Sequence, residues 1–492
     1  MSAVNSLQVE KLSDELGVAF GTSGVRGLVK DLTPELCFAF TLSFLQSVCP
    51  ETKEVAVGID LRPSSSSIAK AVIRAIEARG AKAIYCGELP TPALAFYAMQ
   101  QVMPAVMITG SHIPFDRNGV KFYRPDGEIS KADETAIMSG KVSLADDLRE
   151  LENKALPETD QTAMVLFEQR YIGLFPENVL TGKRIGVYEH SSVARDVIKK
   201  LLKHFGAEVI SLERIDTFVP IDTEAVSEED AIKGRKWSQE YKLDAIVSTD
   251  GDGDRPLISD ENGEWLRGDI VGVLCADYLK ATHVAAPVNV NTVLELSDPE
   301  RVCMRTKIGS PYVIAGMGEL ANKADLPKVV GYEANGGFLV GSDLEFDAEG
   351  KTLKALPTRD SALPIMIVLA MAAQQGKVVS ELLRNYPARY TASDRIKNFP
   401  TEQSRALIQE LKADVQKRGD LLKVLGKSDS DQQVVYLDDT DGLRMTLGDA
   451  DIVHLRPSGN APELRCYVEA RSQSVASQYV DLVLKVLETH AF

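Results

Sequence analysis

The sequence is poor in the residues that staple, coordinate or anchor a chain. Its six cysteines, Cys37, Cys49, Cys86, Cys275, Cys303 and Cys466, are scattered over 492 residues with no C-x-x-C pair and no zinc-like spacing. A disulfide framework is excluded, and a reducing, cytoplasmic setting is expected. Six histidines are present and none falls in H-E-x-x-H, which leaves a zinc hydrolase without support. The longest apolar run, residues 363–373, is too short to cross a bilayer and reads as a buried helix, so no membrane partner is expected. The N-terminus, Met1-Ser2-Ala3-Val4-Asn5-Ser6, lacks the charged-then-apolar profile of a secretion signal. Positive charge is short as well: 55 Lys and Arg face 71 Asp and Glu, a net −16, which argues against a broad nucleic-acid or acidic-membrane surface. A small anionic ligand remains compatible, because a few converging Arg and backbone N–H groups outweigh the global charge locally.

What is present is an ordinary globular mixture, 44% hydrophobic and 26% charged, at a length that suggests three or four domains. Two segments repeat one pattern. Residues 55–60 read as a buried strand, followed by a Ser-rich cap at 64–67, a helix through Ile68, Val72, Ala75 and Ile76, a stop at Gly80 and a strand at 83–85. The second copy runs from a strand at 185–188 through Ser191-Ser192, a helix with Val197, Ile198, Leu201 and Leu202, the stop Gly206 and a strand at 208–210. Such units build parallel sheets covered by helices, so at least two α/β domains are expected. A third, less regular region has a strand at 283–290, a helix at 312–320 and a strand at 328–330. The last hundred or so residues predict an α+β domain: a charged helix around 405–417, alternating strands at 433–437, 443–447 and 464–469, and a closing helix at 475–487. Boundaries near 156–162, 260–263 and 374–385 divide the chain into domains 1–160, 161–262, 263–378 and 379–492.

The sharpest chemical signal is Asp250-Gly251-Asp252-Gly253-Asp254-Arg255, directly after an apolar strand. Three carboxylates at alternating positions, with glycines that let the backbone fold tightly, can turn their oxygens towards one hard divalent cation. The spacing resembles the start of an EF-hand. Arg255 and Pro256, however, stand where that loop needs Gly and continues, and a strand precedes it. A Mg²⁺ site with open positions for phosphate oxygen is the better reading. Met107-Ile108-Thr109-Gly110-Ser111-His112-Ile113-Pro114 runs a strand into a polar turn, where Ser111 could be a nucleophile activated by His112 or by a metal. G-x-S-x-G is absent, which disfavours a serine hydrolase. Lys121, in Asn118-Gly119-Val120-Lys121, reads as lying close behind a tight turn, either as a general acid/base or solvated.

Leu455-Arg456-Pro457-Ser458-Gly459-Asn460-Ala461-Pro462 offers a guanidinium fork with hydroxyl and backbone donors for phosphate, without Walker A spacing. Gly21-Thr22-Ser23-Gly24-Val25-Arg26-Gly27 has similar chemistry around Arg26. In Gly331-Tyr332-Glu333-Ala334-Asn335-Gly336-Gly337, Glu333 and Asn335 stand two residues apart in a loop and could bind vicinal sugar hydroxyls.

The order and wording T-G-S-H, D-G-D-G-D-R, G-x-E-x-N-G and R-P-S-G resemble the α-D-phosphohexomutase family over essentially the whole chain. The resemblance implies three related α/β domains with mixed sheets plus a C-terminal α+β domain around a central active-site cleft. It implies that Ser111 is the phosphoserine and that Asp250, Asp252 and Asp254, with a phosphoserine oxygen, hold Mg²⁺. Arg26 and Arg255 would face the phosphoryl group in transfer, with His112 beside Ser111 and Lys121 as general acid/base. Arg456, Ser458, Gly459 and Asn460 would grip the phosphate that is not reacting. Glu333 and Asn335 fall in the sugar-specificity loop, whose E-A-N-G-G wording looks more like bacterial phosphomannomutases; E-A-N-G also resembles eukaryotic N-acetylglucosamine-phosphate mutases. The implied reaction converts hexose 6-phosphate to hexose 1-phosphate through a hexose 1,6-bisphosphate, feeding nucleotide-sugar synthesis. Phosphoglucomutase, a phosphatase using the same serine, and a non-catalytic sugar-phosphate-binding relative are the alternatives, and monomer and dimer both stay open. Three positions depart from the family's usual pattern: Ile113, Ser310, and Asn460-Ala461.

Overall fold

A computed structural model describes residues 6–21, 24–323, 327–347, 350–458 and 462–489. The chain divides into two units, one of residues 1–284 with 317–384 and the other of 285–316 with 385–492.

In the first unit, the two repeated segments form as their sequences predict. Strand Glu54–Ile59, helix Ser65–Ala78 and strand Lys82–Glu88 make one copy, with the two strands parallel. Arg184–His190, Arg195–His204 and Glu208–Arg214 make the other. In both, alternate helix turns bury Ile, Val, Leu or Ala against the sheet, and a glycine at positive φ follows the helix: Gly80 at 83° and Gly206 at 90°. The serines do not cap as expected. Ser64 makes no side-chain cap bond; Ser65 Oγ instead donates to Asp60 at 2.6 Å, and both serines accept from the Asn118 amide.

The first copy sits in a seven-stranded mixed sheet. Beside its parallel strands lies Ala105–Ile108, then Arg117–Arg124 antiparallel to it, then Val25–Leu28. The second copy sits in a four-stranded sheet with Ala245–Thr249 parallel and Pro256–Ile258 antiparallel. In the third region, Val329–Tyr332, Phe338–Val340 and Leu356–Asp360 pair antiparallel in turn; the expected strand and helix appear as His283–Pro287 and Ser310–Ala321. Two helices, Pro34–Ser47 and Ala362–Gln374, are buried on nearly every face, so their apolar composition reflects core position. Among the described residues, no single helix is long and apolar enough to cross a membrane.

In the second unit, five strands, Tyr390–Lys397, Glu463–Ala470, Ile452–Pro457, Leu443–Leu447 and Val434–Asp438, form one antiparallel sheet in that order. Leu464, Cys466 and Val468 meet Val480, Val483 and Leu487 of the closing helix Gln473–Thr489 in its core. Two of these strands, Tyr390–Lys397 and Ile452–Pro457, are absent from the sequence expectation. The charged helix is in fact two, Thr401–Ala413 and Val415–Leu422, separated where Asp414 leaves the helical conformation and caps the second through Gln416 and Lys417 N–H. All six cysteines are free thiols.

Candidate active site

Strand Ala105–Ile108 delivers Thr109, Gly110 and Ser111 to the edge of the first sheet. Ser111 is fully buried with φ 52°, a left-handed conformation that costs a non-glycine residue energy and persists only where neighbours enforce it. The enforcing group is Arg62. Its guanidinium donates to the carbonyls of Ser111 (2.9 Å), Ile113 (2.6 Å), Pro114 (2.7 Å) and Arg117 (2.8 Å). Asp60 pairs with Arg62 Nε at 3.3 Å and accepts from Gly110 N at 3.3 Å, while the Phe218 ring lies 3.9 Å from the guanidinium carbon. A Cβ on Gly110 would come within 2.5 Å of that carbon, so the loop tolerates only glycine there. Ile113, one of the departures, contributes through its backbone.

The aspartate loop follows strand Ala245–Thr249, and all three aspartates are completely buried. Asp250 Oδ1 accepts from Asp254 N and Arg255 N, both at 3.2 Å, which curls the chain so that the carboxylates converge. Gly253, at φ 69°, makes the turn. One oxygen from each aspartate lies within 4.8 Å of the others. Ser111 Oγ donates to Asp250 Oδ2 at 2.6 Å, so Ser111 and the triad form one cluster. Asp252 Oδ1 and Asp254 Oδ1 are buried with no hydrogen-bond partner. Burial, then the charges of Asp252 and Asp254, push the Asp250 carboxyl well above its usual range. Converging, desolvated carboxylate oxygens, two of them without a hydrogen-bond partner, are the donor set a hard divalent cation takes, so the residues fit a metal.

Cations ring the cluster. Lys121 Nζ lies 2.7 Å from Asp252 Oδ2 and 2.9 Å from Asp254 Oδ2. Burial alone would lower this ammonium, but the two carboxylates overcome it and raise its pKa, so Lys121 stands as a protonated donor. The sequence placed Lys121 behind a tight turn. It lies instead within strand Arg117–Arg124, buried, because Asn118 and Gly119 continue that strand beside Val25–Leu28. Gly119 is required there: a Cβ would meet Val25 O at 2.4 Å. His112 Nδ1 is 3.4 Å from Ser111 Oγ and 3.0 Å from Arg255 Nη1. Arg255 first, then burial and Arg26, depress this imidazole to about 2, so it is neutral and its Nδ1 accepts from the guanidinium. Arg26, opposite Gly119 in the sheet, is lowered to about 10 by burial and by Arg255 and Arg359.

Sequence reasoning missed Arg359. Its buried guanidinium donates to Asp254 Oδ2 at 2.8 and 3.1 Å and to Glu333 Oε2 at 3.2 Å, tying the aspartate loop to the Glu333 loop. It also missed Thr91, whose hydroxyl donates to Asp252 Oδ2 at 2.7 Å, and the Asp60–Arg62 pair. None lies in a glycine-rich motif. The available signal at Arg359 was the polar run Thr358-Arg359-Asp360 directly before the apolar helix Ala362–Gln374. Asn335 turns inward, its Oδ1 accepting from Gly337 N at 2.9 Å and its carbonyl from Thr223 Oγ1 at 2.7 Å.

The first unit thus brings together Ser111, His112, Lys121, Arg26, Arg255, the three aspartates and Glu333. Arg456 and Ser458 belong to the second unit, at the end of strand Ile452–Pro457, where Ser458 N donates to Glu463 O at 2.8 Å. Gly459 and Asn460, like Thr22, Ser23 and the departure Ala461, lie outside the described residues. Ser310 is buried at the start of helix Ser310–Ala321.

Family models for the phosphoglucomutase/phosphomannomutase α/β/α domains I, II and III match residues 17–143, 172–263 and 267–390, and that for the C-terminal domain matches 398–486. The chain belongs to this family. It is 49% identical over 475 residues to a phosphomannomutase of Salmonella muenchen, covering 96% of each chain. It is 42% identical over 481 residues to a phosphomannomutase of Sinorhizobium fredii, covering 96% of this chain and 99% of the relative. Among solved structures, a putative phosphomannomutase of Thermus thermophilus superposes with a TM-score of 0.75 at 20% identity, over 96% of this chain and 99% of the other. The likeness to that structure supports the α/β architecture of the phosphohexomutase fold.

Proposed function

We propose that this protein is a Mg²⁺-dependent phosphohexomutase that interconverts hexose 6-phosphate and hexose 1-phosphate, with mannose phosphate as its preferred substrate. The observation that carries the reading is the 2.6 Å contact between Ser111 Oγ and Asp250 in a buried triad whose Asp252 and Asp254 each keep one oxygen without a hydrogen-bond partner. Asp250, Asp252 and Asp254 would hold the Mg²⁺ together with an oxygen of phosphorylated Ser111, and the bound ion would supply neutralisation of charge on the phosphoryl group.

The residues divide the work. The Ser111 O–P bond breaks as a sugar hydroxyl oxygen bonds to phosphorus and the hydroxyl proton passes to Ser111 Oγ, giving hexose 1,6-bisphosphate; the bisphosphate then turns over and returns its other phosphoryl group to Ser111, whose proton passes back to the sugar oxygen. Arg255, Arg26 and Lys121 stabilise the charge that spreads over the phosphoryl oxygens, Lys121 as the proton-bearing member. His112, kept neutral, fixes Arg255 through Nδ1. Glu333 and Asn335 recognise sugar hydroxyls, and Arg456, Ser458, Gly459 and Asn460 grip the phosphate that is not reacting. These roles fall in four segments, 1–160, 161–262, 263–378 and 379–492. The preference for mannose rests on the two relatives with 49% and 42% identity, both named phosphomannomutase.

Phosphorus NMR with Mg²⁺ and catalytic 1,6-bisphosphate tests this, offering mannose, glucose, glucosamine and N-acetylglucosamine 6-phosphates separately. A 1-phosphate signal appearing fastest with mannose is expected, and its loss in Ser111→Ala or after chelation. Accumulation of inorganic phosphate alone would replace the mutase by a phosphatase, and a faster turnover with another sugar would overturn the mannose assignment.

A further inference from the structure

We infer that Asp441 is a positioning residue for the phosphate grip, acting through Arg456; the inference rests on the reading of Arg456 as a phosphate ligand. Asp441 stands in the turn between strands Val434–Asp438 and Leu443–Leu447 of the second unit. Its Oδ2 lies 2.8 Å from Arg456 Nε and accepts from Ile308 N at 3.0 Å. Its backbone carbonyl meets His454 Nε2 at 2.6 Å. One residue thereby joins the arginine of the R-P-S-G loop, the strand beneath it and the turn Lys307-Ile308-Gly309 that precedes Ser310.

The surroundings fix Asp441 as firmly as it fixes Arg456. His454 is buried and stacks on Tyr467 at 5.3 Å, and its Nδ1 has no partner. A carbonyl at Nε2 therefore selects the neutral tautomer with its proton there. Gly442, at φ 90°, lets the turn close onto the neighbouring strand: a Cβ would lie 2.2 Å from Leu455 O and 3.0 Å from Arg456 Cα. The turn can therefore approach Arg456 only in this arrangement.

A free arginine side chain samples many rotamers, and ordering it on binding costs affinity. A carboxylate at Nε restrains those torsions while leaving the pair of terminal nitrogens as the fork a phosphate takes. Asp441 thus orients Arg456 before the sugar phosphate arrives. The bond to Ile308 N makes the same carboxylate hold the 307–309 turn, so the grip and that turn are set together.

The test is a double-mutant cycle on the full-length enzyme with mannose 6-phosphate. Affinity is read calorimetrically with Ser111 dephosphorylated and Mg²⁺ present, and KM and kcat in the mutase assay. Asp441→Ala is expected to raise Kd and KM roughly tenfold, the loss expected when a preordered contact becomes mobile, with kcat changed less than about threefold. Asp441→Asn, which keeps an acceptor for Ile308 N but removes the charge paired with Arg456, is expected to raise Kd by an intermediate amount, about threefold. It also serves as the readable variant should the alanine fail to fold. Arg456→Ala is expected to raise Kd further, and adding Asp441→Ala to it is expected to change nothing more. Additive losses in the double variant, or a Kd unchanged in both Asp441 variants, would overturn the positioning role. An unchanged Kd in Arg456→Ala alone would instead overturn the phosphate-ligand reading and the inference with it.

Discussion

The two strand–helix–strand copies of the first unit have the same topology and hold different loops by different means. In each, the turn after the first strand reaches across the sheet to the loop that carries chemistry. The turn after Glu54–Ile59 supplies an ion pair, Asp60–Arg62, and grips the Ser111 loop. The turn after Arg184–His190 supplies uncharged groups and grips the aspartate loop: His190 Nε2 meets Thr249 O at 2.9 Å, Ser192 Oγ meets Thr249 Oγ1 at 2.6 Å, and Val193 N donates to Gly251 O at 3.1 Å. The difference follows from what each loop leaves unsatisfied. The Ser111 turn presents four carbonyls to one point, and only a guanidinium has enough donors in a fixed plane. The aspartate loop satisfies much of its own backbone through Asp250 and takes its cations, Lys121 and Arg359, at the carboxylates rather than at the backbone.

The largest break in this comparison is Arg62→Ala. It leaves Asp60 buried without its counter-ion and four carbonyls without a donor, and breaking a buried pair in this way costs about 3–5 kcal/mol. A nucleophile displaced by about 1 Å loses on the order of 100-fold in rate. Thermal melts and the mutase assay should show both losses, with Arg62→Lys, which keeps the charge but not the fork, intermediate. Mutase activity within a few-fold of the parent in the folded alanine variant would show that Ser111 keeps its left-handed conformation without this clamp.

A smaller effect is expected at His190, and it depends on pH. Burial lowers its imidazole to about 4, although the bond to Thr249 and the charge of Asp230 oppose the shift. The folded state therefore demands the neutral form, while the unfolded chain protonates near the ordinary value of about 6.5. The unfolded state binds the extra proton between these two values, so stability is lost as pH falls from about 6.5 towards 4, by about 2–3 kcal/mol at pH 4.5. His190→Gln retains a donor and does not titrate. Urea midpoints at pH 7 and 4.5 should therefore separate further in the parent than in the variant; equal separations would remove His190 from the acid response.

Most of the strand–helix–strand architecture is legible because it depends on short-range periodicity: apolar triplets at strands, helical spacing in Ile68, Val72 and Ile76, and glycines after helices. The aspartate triad is legible for the same reason, since its geometry is local to six residues. What escapes is long-range. Arg359 meets Asp254 from 105 residues away, and Arg62 meets Ser111 from 49 away, through contacts that no local pattern encodes. Lys121 reads as following a turn because Asn-Gly usually makes one, whereas here the sheet extends through both residues. The strand Ile452–Pro457 escapes because its end runs into the R-P-S-G motif, whose Pro, Ser and Gly dominate the local reading.

The finest test of the comparison is Ser192→Ala, in the copy whose hold on the aspartate loop is uncharged. Ser192 Oγ touches Thr249 Oγ1 and accepts from Ala194 N at 3.1 Å, while Thr249 Oγ1 donates to the carbonyl of Asp250 at 2.8 Å. The alanine removes both contacts of the serine oxygen but leaves the Thr249–Asp250 bond in place, so the expected loss is about 1–2 kcal/mol. The aspartates keep their positions through Asp250 and its bonds to Asp254 N and Arg255 N, so kcat should change less than about threefold. Thr249→Val, which removes the last hydroxyl before Asp250, should lower the affinity for Mg²⁺ measured by calorimetry more than Ser192→Ala does. If instead Ser192→Ala lowered it as much as Thr249→Val, the serine and threonine would be acting as one continuous support. The second copy would then depend on a single line of hydrogen bonds as strictly as the first depends on Arg62.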